Sequence, residues 1–184
     1  MLRGNRELWW AFGAGVLITA IYGAVVFFTR EIPSASDLFG HGMGILGFVL
    51  MLMTETLYSL RKRTRSASWG RMSSWLQFHI FTGLVGPYMV LLHTSWKFNG
   101  LAGAVTLLTI VIVISGIVGR YIFTRIPRTL DGLEIEGTLS EAALRQARRL
   151  MALWHTVHIP IGMALFVSAF VHIGAALYYA TLLK

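Results

Sequence analysis

The sequence has no cysteine and little charge. Without a thiol in its 184 residues, the chain can form no disulfide, no thiolate zinc site, no iron–sulfur cluster and no C-x-x-C-H haem attachment of its own. Charged residues make up 13% of it, and the 8 acidic ones face 16 Lys and Arg. No G-x-G-x-x-G or Walker pattern, internal repeat or low-complexity tract is visible, so a flavin or nicotinamide domain would have to sit on another chain. What is plentiful is apolar: 55% of residues are hydrophobic and the mean hydropathy is +0.65. A soluble domain could not hide that much apolar surface, which makes the class integral membrane protein. A net charge of +8 is a feature of nucleic-acid binders, but here the basic residues stand beside apolar runs, where they set topology. No nucleic-acid partner is expected.

Five stretches are long enough to span a bilayer: Leu8 to Thr29, Leu38 to Leu60, Trp75 to Trp96, Leu101 to Thr124 and Leu153 to Leu183. Arg3 and Arg6 give the first a basic start, but its apolar run exceeds a signal-peptide core and shows no convincing cleavage site. It reads as a retained helix. With the N-terminus inside, 13 of the 16 basic residues fall on the cytoplasmic side, leaving Arg30, Lys97 and Lys184 outside. The expectation is an all-α, N-in/C-out, five-helix bundle in an inner (cytoplasmic) membrane, forming one domain over residues 1–184. Trp9, Trp10, Trp75, Trp96, Trp154, Tyr178 and Tyr179 mark the interfaces. The soluble segment of note is the cytoplasmic loop 125–150. Its first half has turn chemistry at Pro127, Asp131-Gly132 and Gly137; its second half opens on Ser140 as an N-cap and reads as an extension of the fifth helix.

Within this frame, His79 and His93 share the third span, and His158 and His172 share the fifth. Both pairs are fourteen residues apart, which at ~100° per residue returns to within about 40° of the starting direction. At ~1.5 Å rise, each pair is separated by about 21 Å along its helix. The two spans run the same way, so His79 matches His158 in depth and His93 matches His172. An intramembrane histidine is a functional hypothesis by default. For a single one, an interhelical hydrogen bond is as good an account, and protons or metal remain alternatives. Four at two matched depths make two bis-imidazole clamps, and haem is the ligand that wants two opposed imidazoles in an apolar helical core. The expectation is two haems stacked between the third and fifth helices.

Other residues add to this picture. Gly86 lies midway between His79 and His93, and Gly83 and Gly162 each follow an inner histidine by four residues. Such gaps suit a flat macrocycle, although small residues also serve helix packing. The same two readings apply to the F-G-H-G-M-G-I-L-G run of the second span. His41 stands level with the outer clamp and is a secondary candidate for a quinone, a proton or a third haem. His155, three residues before His158, is a candidate for a propionate contact or a plain interfacial residue. Glu55 reads as a proton group or as a partner of Arg61 or Arg63. Arg71, Arg120 and Arg149 inside, and Lys97 outside, are candidate propionate partners.

The H-x13-H spacing on two parallel helices with one helix between them covers roughly Trp75 to Tyr179. It resembles the di-haem cytochromes b, namely the haem-carrying bundle of quinol:cytochrome c reductases and the transmembrane domain of ferric reductases and NADPH oxidases. The resemblance implies that His79 and His158 ligate an inner b-type haem, and His93 and His172 an outer one. It is incomplete: no quinol-site loop and no fused flavin domain are found. The fourth span has no histidine, unlike the animal ascorbate-dependent cytochromes. The implied function is transmembrane electron transfer, as the membrane subunit of a larger respiratory or photosynthetic redox complex. Cytochrome c, an iron–sulfur protein or a flavoprotein would be partners, with a quinone in the lipid. Two alternatives stand beside it: a self-contained quinone-linked oxidoreductase of ferric reductase or superoxide oxidase type, and a haem-free transporter or assembly protein.

Overall fold

The computed structural model describes residues 5–64, 70–126 and 140–182. Five helices account for nearly all of them: α1 (Arg6–Thr29), α2 (Leu38–Arg63), α3 (Met72–His93), α4 (Gly100–Thr124) and α5 (Glu141–Leu182). No strand occurs among the described residues. Each helix is long and apolar enough to cross a membrane, and a helix is the form in which a spanning segment satisfies its own backbone. This is the structure of a multi-pass membrane protein.

Lipid is as apolar as leucine, so such helices associate through close packing and polar contacts rather than by escaping water. Two tight pairs result. In the first, α2 lies antiparallel to α3 and crosses it where glycines remove side chains. A Cβ on Gly47 would come within 2.8 Å of the Gly86 carbonyl oxygen, and one on Gly86 within 2.9 Å of the Gly47 oxygen. Nearby, Thr54 Oγ1 donates to Thr82 Oγ1 (2.7 Å), which donates to the Phe78 carbonyl (2.9 Å). In the second pair, α4 and α5 meet where Trp154 covers Gly119, a position with no room for a Cβ. Trp154 Nε1 donates to the Ser115 carbonyl (2.7 Å). Two glycines of the α2 run, Gly44 and Gly47, thus find their use in packing on α3.

The pairs are joined by a looser α3–α4 seam, and α1 packs on α3. Midway along α1, Thr19 Oγ1 and Tyr88 Oη share a hydrogen bond of 2.6 Å. α3 stops at His93, three residues before the expected end of the span at Trp96. The reason is local: Ser95 and Trp96 take left-handed conformations (φ 50° and 62°), and Ser95 Oγ donates to the Pro33 carbonyl (2.6 Å), tying this end to the α1–α2 loop. At the other end of the chain α5 is continuous from Glu141 for 42 residues, roughly 63 Å at ~1.5 Å per residue. That is about twice the ~30 Å hydrocarbon layer. Ser140 Oγ accepts from the Ala143 N–H (3.3 Å), as an N-cap does. The expected turns at Pro127, Asp131-Gly132 and Gly137 lie outside the described residues.

Candidate functional site

His79 and His93 stand on α3 with their rings turned toward α2. His79 Nδ1 is 3.0 Å from the Thr54 carbonyl oxygen, and His93 Nδ1 is 2.8 Å from the Gly40 carbonyl oxygen. A carbonyl only accepts, so in each ring Nδ1 carries the proton and Nε2 keeps its lone pair. The fit around His93 is close: a Cβ on Gly44 would lie 2.8 Å from its ring. Tyr58 flanks His79 at 4.8 Å between ring centroids. His41 meets His93 edge-on at 6.4 Å, which puts this secondary candidate beside the outer clamp.

The α4–α5 pair presents the other two. His158 stacks on Trp154 at 4.5 Å, and its Nδ1 is 3.0 Å from Ser115 Oγ. Ser115 therefore holds two neighbouring α5 rings, Trp154 by its carbonyl and His158 by its hydroxyl. His172 has no comparable tether among the described residues. His155 lies against the other side of Trp154, 4.8 Å between centroids.

His158 and His172 stand fourteen residues apart on α5, as His79 and His93 do on α3, so each helix carries its histidines at two levels. The two levels are separated by an apolar partition. Leu165, seven residues from both α5 histidines and 1% exposed, packs with Met51, Val105 and Ala169, flanked by Phe48 and Phe166. Phe48 reaches α5 directly, 5.4 Å from Phe170 and 6.3 Å from Phe166.

Of the three glycines singled out in sequence, Gly162 faces the space between the pairs. The nearest atoms to a Cβ there are Glu55 Oε2 and Ile112 Cδ1, both 3.9 Å away. Gly83 faces Thr54 on α2, where a Cβ would make ordinary contact at 3.4 Å. Gly86 sits inside the α2–α3 crossing, which accounts for its missing side chain by helix packing.

Charge is distributed differently from the simplest reading of the loops. Arg61 donates to the carbonyls of Thr64 (3.3 Å) and Gly70 (3.2 Å). Glu55 forms no ion pair among the described residues and is turned toward Gly162 on α5. Arg71 and Lys97 are exposed beside helix ends, and Arg149 is exposed about two turns into α5. Arg120 is turned away from the histidines, to Glu7 on α1 at 2.5 Å and to Asn5 Oδ1 at 3.1 Å. Glu7, Ser115 and Thr54 were not singled out in sequence, and Trp154 and Gly40 were read only as an interfacial aromatic and as part of a glycine run. For Glu7 a signal existed, since it is an acidic residue at the edge of an apolar helix. Backbone acceptors such as those of Thr54 and Gly40 leave none.

Among the described residues no three His, Asp or Glu side chains converge as a metal chelate. Comparison with models of protein families, with curated proteins and with solved structures finds no match.

Proposed function

We propose that this chain is a di-haem b-type cytochrome that conducts electrons across the membrane. The observation that carries the reading is the pinning of His79 and His93 through Nδ1 at two levels of α3, with His158 of α5 held through Nδ1 in the same way. Haem-ligating imidazoles use one nitrogen for iron and commonly anchor the other on a carbonyl or hydroxyl, which fixes the tautomer and orients the ring. His79, His93 and His158 all have such an anchor. His79 with His158 would hold one haem and His93 with His172 the other. Haem iron supplies reversible one-electron chemistry. The chain supplies axial nitrogens, an apolar surround, and the Leu165 partition that keeps the levels apart and dry.

In this reading the chain lies in an inner membrane with its N-terminus cytoplasmic, following the 13 of 16 basic residues on that side. It serves as the membrane subunit of a redox complex, with a quinone and a cytochrome, iron–sulfur or flavoprotein as electron partners. The test is a dithionite-reduced minus oxidised spectrum of the detergent-purified protein with a pyridine haemochrome count. Two haems per chain with a sharp low-spin α-band are expected. A helical, monodisperse but colourless protein made under haem-replete conditions would overturn the proposal.

A further inference from the structure

A second polar centre lies where α1, α3 and α4 come together, and nothing in electron transfer requires it. Glu7 is 92% buried by exposure of 8%, at the start of α1, and pairs with Arg120 of α4 through Oε1 and Nη2. That bond uses half of each group. Glu7 Oε2 and Arg120 Nε are both buried and neither has a hydrogen-bond partner. A buried ion leaves a donor or acceptor unmet only at a cost, so such orphans call for an explanation. Here they are complementary, an anionic acceptor and a cationic donor on one ion pair.

A cavity of about 110 Å³ opens on this pair, lined also by Asn5, Gln77 and Thr124. Directly above it along the same seam, an apolar crevice of about 320 Å³ runs between α1 and α3. The two adjoin: Leu8 of the crevice follows Glu7, and Leu84 is one turn beyond Ile80 of the cavity. A charged recess near the helix ends, continued by an apolar slot toward mid-depth, has the shape of an amphiphile. The crevice also lies where α1 has α3 as its principal neighbour.

We propose that this seam seats a glycerophospholipid whose headgroup carries a phosphate and a primary ammonium, with an acyl chain in the α1–α3 crevice. The phosphate accepts from Arg120 Nε and the ammonium donates to Glu7 Oε2, closing a ring of four alternating charges. A purely anionic headgroup serves Arg120 but sets its charge against the Glu7 carboxylate. A trimethylammonium headgroup has the right charges and no N–H to give. Water alone satisfies the orphans but leaves the crevice unaccounted for.

Native mass spectrometry of the purified chain, in mild detergent, with lipids of identical acyl chains reads this directly. One molecule of phosphatidylethanolamine per chain is expected to be retained roughly tenfold better than phosphatidylcholine or phosphatidylglycerol. Its mono- and dimethylated analogues keep an N–H, so retention is expected to drop at the trimethyl form. Gly15 lines the crevice and has open space at its Cβ, so Gly15→Leu is expected to expel the lipid while the ion pair and the fold persist. Glu7→Gln is expected to abolish the headgroup preference. Equal retention across the methylation series, preference for phosphatidylglycerol, displacement by a short-chain quinol, or no bound lipid would each overturn the proposal. None of these outcomes depends on whether haem is bound.

Discussion

The two histidine levels share a spacing and a pair of helices, yet the structure braces them unequally. At the level of His79 and His158, both rings are anchored through Nδ1 and each has an aromatic neighbour, Tyr58 and Trp154 respectively. At the level of His93 and His172, only His93 is anchored, though by a tighter surround that includes Gly44. A site whose ligands are fixed before the cofactor arrives loses less freedom on binding. The first level is therefore expected to bind its haem more firmly, and the second to depend on the fit around a single ring.

The comparison can be broken most decisively at the ligands. His79→Ala or His158→Ala is expected to reduce the haemochrome count from two to one, and His93→Ala or His172→Ala to do the same while leaving the other spectral component. If all four removed the same component, the levels would not be separate sites. A smaller but still selective effect is expected from Gly44→Leu. A side chain there must displace the His93 ring, so haem at that level is lost while the His79–His158 level is kept. Ser115→Ala sharpens the contrast from the other direction. Losing the hydroxyl that orients His158 is expected to weaken haem retention at that level by about tenfold, measured by competition with apomyoglobin, with no change at the other. The least effect belongs to Thr82→Val, which removes an interhelical hydrogen bond from the Thr54 hydroxyl but leaves the Thr54 carbonyl on His79. About 0.6 kcal/mol is expected, seen as a small fall in thermal midpoint with both haems retained.

Much of the fold was written in apolar run length. The starts of α2 and α4 and the ends of α1 and α4 fall within a residue of the expected spans, because a bilayer sets a minimum length and the loops supply polar stops. The end of α3 was not legible, since it depends on Ser95 reaching the Pro33 carbonyl, 62 residues away in sequence. The placing of the histidines two by two followed from helical periodicity, and the structure sets His79 and His93 on α3 and His158 and His172 on α5. What periodicity could not supply were their anchors. The Thr54 and Gly40 carbonyls are backbone groups that every residue carries. Ser115 looks like any small residue in an apolar helix until α5 is packed against it. Gly86 shows the opposite failure, a residue on the right helix whose missing side chain is accounted for by the α2 crossing. Arg120 was read as a candidate propionate partner, yet it is claimed by a carboxylate 113 residues earlier.

That last distance has a consequence for how the protein is made. α1 leaves the ribosome carrying the Glu7 carboxylate, and its guanidinium partner has not yet been synthesised. At ~5–20 residues per second, the wait is on the order of ten seconds. Throughout it, the helix must keep one acidic group at a watery edge or carry it protonated into lipid. Its tie through Thr19 to Tyr88 also waits, until α3 is in place. The helix made earliest of these five is thus among the last of them to be secured, and the completion of α4 is the event that locks it.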